Sequence, residues 1–311
     1  MHGRGSGIVH SVVASSFLVL AGCGGSGAPT GDATGLFSLG ISDGPVHSAE
    51  KVCITFDSIE FKQAGDAQAF TVDLEPPEKI NLLEYQGANA APLLENEELP
   101  AGDYEWVRLG VDASMGSNGG AGDTGGDECD GEASYLVMEG GAVHNVFVPS
   151  GEQTGLKLVQ GFTVPVNGSI DVTADWDLMQ SVTAPPGLAP DVVLKPTIRL
   201  VNNVDAGTLA GVVAEELAGA AGCDPSVFLF DDGVTPNAVA EEGNDPDDPV
   251  ATAMVHEQAN SDGTRTFHYE IGFLLAGSYE AAFTCDGSSF EPAAGKPADI
   301  GAQQVTTVDF P

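Results

Sequence analysis

Gly40-Ile41-Ser42-Asp43-Gly44 carries the Gly-x-Ser-x-Gly spacing in which a strand-to-helix turn can expose a nucleophilic serine. A strand-like run precedes it, but Pro45 and a second strand-like run follow where a helix should project Ser42, so the pentapeptide reads as an ordinary turn. His256-Glu257 opens the zinc-protease spelling His-Glu-x-x-His, yet Asn260 stands where the second ligand belongs. His47, His144 and His268 are scattered without ligand spacing and read as surface or strand residues. Hard oxygen ligands are plentiful in two stretches. One runs from Asp112 to Glu132 and holds Asp123, Asp127, Glu128 and Asp130; the other runs from Asp231 to Asp248 and holds Glu241, Glu242, Asp245, Asp247 and Asp248. Carboxylates on Gly-rich loops suit calcium, but neither loop spells an EF-hand, so solvated acidic loops are the favoured reading and structural calcium the alternative. No cofactor is required by anything in the sequence. Trp106, placed by alternation on one face with Tyr104 and Arg108, is the candidate platform for stacking a sugar.

The cysteines speak to chemistry of another kind. Besides Cys23 the chain has Cys53, Cys129, Cys223 and Cys285, and no Cys-x-x-Cys, which argues against zinc. In an oxidising compartment the economical pairing is Cys53 with Cys129 and Cys223 with Cys285, although four cysteines allow three connectivities.

The compartment follows from the first residues. After Arg4 an apolar run through Ile8, Val12, Val13, Phe17, Leu18, Val19 and Leu20 stops at Ala21-Gly22-Cys23. A positive start, a short apolar core and small residues describe a secretory signal over 1–22, too short to remain as a spanning helix. Leu20-Ala21-Gly22-Cys23 resembles the bacterial lipobox, which implies cleavage before Cys23 and acylation of its sulfur and amine. Several acyl chains suffice for stable attachment to a lipid bilayer, where one would be marginal. Gly24 to Gly31 make a flexible tether within 23–35, and Gly24 in place of Asp points, by the same resemblance, to the outer membrane. No later stretch reaches the roughly 18 apolar residues of a membrane span.

Forty-six acidic residues against ten basic ones give a formal charge of −36, so nucleic acid is excluded as a partner and an anionic lipid surface would repel the chain unless a covalent anchor held it. With 42% hydrophobic and 18% charged residues, the 311-residue chain should fold, and 41 Gly with 19 Pro favour short strands and turns over long helices.

The elements that must position these groups are strands. Phe37, Leu39, Ile41 and then Val52, Ile54, Phe56 alternate, separated by Ser42-Asp43-Gly44-Pro45. Ile59 and Phe61 have the opposite parity to Phe56, which predicts a bulge near Asp57 and Ser58. Phe70, Val72 and Leu74 alternate until Pro76-Pro77, and the stretch from Ile80 to Glu97 reads as irregular, with room for a short helix. Phe162, Val164, Val166 and Ile170, Val172, Ala174, Trp176 flank Asn167-Gly168 and predict a hairpin, with Trp176 in the core and the row Asp171, Asp175, Asp177 on a wet outer face. One device occurs twice: Leu99-Pro100-Ala101-Gly102-Asp103-Tyr104 and Leu274-Leu275-Ala276-Gly277-Ser278-Tyr279 each place Gly at a turn and Tyr at the start of a strand.

Gly35 to Pro45, Ile54-Thr55-Phe56 with Ile59-Glu60-Phe61, Leu99 to Tyr104 and Leu194-Lys195-Pro196, in this order after a lipobox, together resemble a bacterial lipoprotein family, domain of unknown function 4382, over most of Leu36 to Val201. The C-terminal part resembles carboxypeptidase regulatory-like, transthyretin-like modules. The resemblance brings no activity and no catalytic residue with it. The expectation is an all-β chain of two antiparallel β-sandwich domains, transthyretin- or immunoglobulin-like, at 36–203 and 207–311, behind the signal peptide and tether. It would be exported and held on the outer membrane by acylated Cys23. Its expected role is a non-catalytic adhesion, binding or envelope-structural module with an unidentified protein or glycan partner; a glycan or small-ligand receptor and a hydrolase of unrecognised type are the alternatives.

Overall fold

In the computed structural model the described residues are 33–44, 49–113, 119–123, 125–126, 128–148, 155–183, 192–194, 197–239 and 245–311. Cys23, His47, Asp127, Glu241 and Glu242 lie outside them. The first half contributes β1 (Thr34–Gly44), β2 (Ala49–Gln63), β3 (Phe70–Asn81), β4 (Ala91–Pro100), β5 (Gly102–Val111), β6 (Tyr135–Met138), β7 (Val143–Phe147), β8 (Leu156–Leu158), β9 (Phe162–Val164), β10 (Ser169–Asp177), β11 (Val182–Thr183), β12 (Val192–Leu194) and β13 (Ile198–Asn202). The second contributes β14 (Ala206–Val213), β15 (Ser226–Asp231), β16 (Ala251–Met254), β17 (His256–Ala259), β18 (Arg265–Leu275), β19 (Gly277–Thr284), β20 (Phe290–Ile300) and β21 (Val305–Thr307).

Each half is two facing sheets. The first stacks β13-β10-β1-β4 on a nine-stranded sheet built around β2, which carries β3 on one edge and both β5 and β6 on the other. The second stacks β17-β18-β14-β21 on β16-β15-β19-β20. Inward residues of both layers form one continuous core per half: Phe37, Ile41, Phe56, Phe61, Val107 and Trp176 in the first, Leu209, Val227, Tyr269, Phe283 and Phe310 in the second. The all-β sandwich expectation is met, with most pairings antiparallel, while β1 runs parallel to β10, β7 to β12 and β14 to β21. Residues Ala33 to Pro311 form one compact unit.

Strand ends differ in three places from the sequence reading, each for a physical reason. Ser42-Asp43-Gly44 is not a turn but the end of β1, because β10 pairs with it as far as Gly44↔Asp177. β3 does not stop at Pro76-Pro77. It continues to Asn81, and the prolines fall where the register against β2 shifts between Asp73 and Glu78, so their missing N–H groups cost no ladder bond on this edge strand. The Asn167-Gly168 turn forms, with Asn167 at φ 52° and Gly168 N–H bonded to the carbonyl of Pro165 at 3.1 Å, but it does not close a hairpin. β9 joins β5 in one sheet and β10 joins β1 in the other, because the turn's backbone bonds β1 instead: Asn167 N–H donates to Thr34 and Leu36 N–H to Gly168. The connection is therefore an arch between layers. The bulge expected near Asp57 and Ser58 is present against both neighbours of β2, and it lets Phe56 and Ile59 both point inward. Of the stretch from Ile80 to Glu97 read as irregular, only the part between Asn81 and Ala91 is so, with a 3-10 turn at Leu82–Glu84; from Ala91 it is strand β4, hidden from the sequence pattern by the bulged register against β1.

Both halves turn the same corner. β4 passes to β5 across Ala101, and β18 to β19 across Ala276, each step leading from one sheet to the facing one. Tyr104 donates its hydroxyl to the carbonyl of Pro100 at 2.8 Å, and Tyr279 donates to that of Leu275 at 3.0 Å. A tyrosine reaching back four residues ties the crossing strand to its own entry, and satisfies a carbonyl that the break in the ladder leaves free.

Cys53–Cys129 and Cys223–Cys285 are both bonded, with Cα separations of 5.6 and 4.6 Å. Of the three connectivities the sequence allowed, the economical one is made. Each bridge lies within one half and closes a loop of 76 or 62 positions, for which loop entropy alone contributes about 4 kcal/mol.

Candidate functional site

Ser42, the would-be nucleophile, is fully buried in β1 and donates to the carbonyl of Tyr85 at 3.2 Å, so it is part of the sheet and not the tip of an elbow. Among the described residues, no group of three or more His, Cys, Asp or Glu side chains stands close enough to hold a metal ion. In the first acidic loop Asp123 is engaged by an internal cation: buried Lys51 donates to its carboxylate at 2.8 Å and to the carbonyl of Glu128 at 2.9 Å, while the Tyr135 hydroxyl donates to the same carboxylate oxygen at 2.9 Å. Burial pushes the Lys51 ammonium down, but its bond to Asp123 and the charges of Tyr135 and Asp123 outweigh this and hold it above its ordinary value. Glu128 and Asp130 are exposed in the same loop. In the second loop Asp245 and Asp248 accept backbone N–H bonds from Asp247 and Asp245, so these carboxylates shape their own turn. The loop also has an apolar underside, where Val234 and Val239 cover Phe228 and Phe230 on the outer face of β15.

Tyr104 and Trp106 do not share a face. The register against β2 steps from Lys62↔Trp106 to Gln63↔Tyr104, leaving Glu105 as the extra residue of a bulge. Tyr104 therefore points into the core, 2% exposed, stacked on Phe162 at 4.9 Å, and burial raises its hydroxyl to about 12, with Asp66 adding to the effect. Trp106 lies on the opposite face, and its ring is flanked by the Arg108 guanidinium at 4.6 Å and the Lys157 ammonium at 4.5 Å. Two cation–π contacts occupy the surface on which a sugar would have to stack.

The groups that do converge are ones the sequence did not single out together. A cleft of about 360 Å³ opens where the end of the first sandwich meets the second. Its walls include Asp43, Asp175, Asp177 and Arg199 from the first half, and His256, His268 and Glu270 from the second. Asp43 continues the inward series Phe37, Leu39, Ile41 and is 2% exposed. Its N–H is satisfied by the Tyr85 carbonyl at 2.9 Å, but among the described residues neither carboxyl oxygen has a hydrogen-bond partner. Burial, and after it the negative charges of Asp177 and Asp175, hold this carboxyl well above its ordinary value of 3.8; the nearby Leu178 N–H, outside hydrogen-bond geometry, acts in the opposite direction without reversing them. The row Asp171, Asp175, Asp177, expected on a wet face, grades from exposed Asp171 to buried Asp177 because the second half covers its far end; Thr252 donates to Asp177 at 3.4 Å. Arg199 pairs with Asp175 across β10 and β13. His256 and His268 are cross-strand partners with ring centres 6.2 Å apart, and burial followed by the neighbouring His268 holds His256 below its ordinary value. Backbones also come close here. A Cβ on Gly272 would lie 2.3 Å from the carbonyl oxygen of Gly87, and the Ala88 N–H donates to Glu270 at 2.8 Å.

Two β-sandwiches, each with one internal disulfide, meeting at an acidic cleft define an all-β protein. The chain belongs to the family described as domain of unknown function (DUF4382), whose model matches residues 34–196, more than half of its length. No curated protein matches it. Among solved structures, the chain is similar to a minor pilin of Streptococcus agalactiae at 12% identity and TM-score 0.19, covering 88% of this chain and 94% of the pilin. A candidate adhesin of Bacteroides thetaiotaomicron gives 12% and 0.20, covering 83% and 78%. The shaft pilin of Lactobacillus rhamnosus GG gives 10% and 0.17, covering 89% and 98%. Scores of this size carry no argument about function.

Proposed function

We propose that the chain is an exported lipoprotein, held to the outer membrane by acyl chains on Cys23, that presents two β-sandwiches as a non-catalytic adhesion or envelope-organising module. The observation that carries this reading is the pair of disulfides, one in each half: such bonds persist outside the reducing cytoplasm, which is where the N-terminal apolar run and Leu20-Ala21-Gly22-Cys23 would send the chain. No described helix is long and apolar enough to cross a membrane, so attachment on this reading depends on the lipid. The strong negative charge suits a body that faces water and is repelled by anionic headgroups, and the Gly-rich tether gives it reach. The buried serine of the Gly-x-Ser-x-Gly segment and the internal satisfaction of Asp123 fit a binding or structural role better than catalysis.

The test is accessibility. Intact cells of the source organism are treated with an external protease and the surviving chain is followed by antibody. Digestion without lysis is expected; protection until the outer membrane is broken would remove the adhesive reading and leave a role facing the periplasm.

A further inference from the structure

We propose that the cleft between the two sandwiches binds a small organic cation, an ammonium or guanidinium group, with Asp43 as its buried counter-ion. The inference goes beyond the adhesive reading and does not depend on it.

The first observation is a carboxyl without a partner. Buried polar groups are nearly always hydrogen-bonded, and an acid left unsatisfied at an inward position of a sheet costs stability that nothing in the surrounding core returns. The second is the cleft itself, which Asp43 helps to line and whose volume of about 360 Å³ is that of a small-molecule site. The third is charge balance. Five acidic residues, Asp43, Glu84, Asp175, Asp177 and Glu270, line the cleft with one guanidinium, Arg199, and that guanidinium is committed to Asp175. Glu270 is committed to the Ala88 amide and Glu84 accepts from Asn81 at 3.2 Å, so Asp43 remains as the acceptor in need of a donor.

These observations choose among ligands. A neutral hydroxyl could donate to Asp43 but would do nothing for the negative charge of its neighbours. A bare divalent ion would need three or more close ligands, and among the described residues no such group exists. An ammonium or guanidinium supplies both charge and directed donors, and its apolar stem can fill the rest of the space. Burial favours the protonated acid at Asp43, and a bound cation favours the carboxylate, so binding displaces that proton: the acid and R–NH3+ give the carboxylate paired with R–NH3+, plus one proton released to solvent. His256 and His268 line the same space, so the proton count is also taken at pH 8, above the ordinary imidazole range, where a released proton belongs to Asp43.

The experiment is isothermal titration calorimetry on the full chain with butylammonium chloride and with the peptide Gly-Lys-Gly, in buffers of different ionisation heat at pH 7 and pH 8. Both probes should bind, with close to one proton released, and affinity should rise up to about tenfold per pH unit while Asp43 is protonated. Tetramethylammonium, which has the charge but no donor, should bind at least tenfold more weakly. A peptide tighter than the free amine would identify the natural ligand as a lysine side chain of a polypeptide, and the reverse order a free small amine. Asp43→Asn should abolish proton release and weaken binding at least tenfold, whereas Asp248→Asn, on the exposed loop, should change neither. Absence of binding by both probes, binding without proton release in the unaltered chain, or equal binding of tetramethylammonium would overturn the proposal. The proton count needs no variant, so it decides the matter even if Asp43→Asn fails to fold. Any of these failures would leave the surface accessibility of the protein untouched.

Discussion

Asp43 shows how far a single residue departs from what its neighbours in sequence suggest. Beside Ser42 and before Gly44-Pro45 it looks like a turn residue, and only the parallel partner β10 extends β1 through it and turns it inward. Parallel pairing joins residues more than a hundred positions apart and leaves no local mark, which is why the acid was not legible as a site. At Ser42 the following Pro45 already denied a nucleophile its helix, but the strand end itself read as a turn for the same lack of a local mark. The stability consequence of Asp43 has a definite sign. Its folded carboxyl binds a proton more tightly than the unfolded one, so its contribution is complete below about 3.8 and is lost as pH rises through the higher folded value. Asp43→Asn should therefore raise the thermal midpoint at pH 8 and leave it nearly unchanged at pH 4; an equal loss at both would mean that the carboxyl is satisfied and charged in the native state.

At the scale of elements, period-two patterns found the strands, and the change of parity at Asp57 and Ser58 found the bulge, because both are local consequences of the pleat. The bulge at Glu105 escaped notice since Tyr104, Glu105, Trp106 and Val107 alternate plausibly either way, and only pairing with Lys62 and Gln63 decides which aromatic is buried. Likewise the Asn167-Gly168 reversal was legible but its partners were not: a two-residue turn fixes that the chain comes back, not which sheet receives it. The repeated Leu-x-Ala-Gly-x-Tyr device was legible as a motif, and the structure supplies its purpose as a corner between sheets. Tyr279→Phe should cost about 1 kcal/mol in denaturant unfolding, the net worth of one hydrogen bond, with the ring's packing retained. Tyr104→Phe should cost more, since its hydroxyl is deeper. No change for either would show that the corners are held by backbone alone.

For the whole molecule, composition and charge were enough to indicate a folded, all-β, acidic body, and the cysteine spacing anticipated both bridges. The meeting of the two halves was not legible, because it rests on small residues that carry no pattern. Gly272 is the tightest of these: Gly272→Ala would drive a methyl into the carbonyl of Gly87, forcing the halves apart or straining both. A loss of about 1 to 3 kcal/mol, or a single calorimetric transition splitting in two, is expected, and an unaltered melting curve would contradict the close approach. The cleft depends on the same contact, so this variant should also lose whatever proton-linked cation binding the native chain has. Export and anchoring are the central features of the proposed role, and the mature N-terminus tests them most directly. Mass spectrometry of the chain purified from membranes of its own cells should find Cys23 as the first residue, carrying acyl chains on sulfur-linked glycerol and on its amine. A chain that retains residues 1–22, or begins at Cys23 with an unmodified thiol in the soluble fraction, would contradict it.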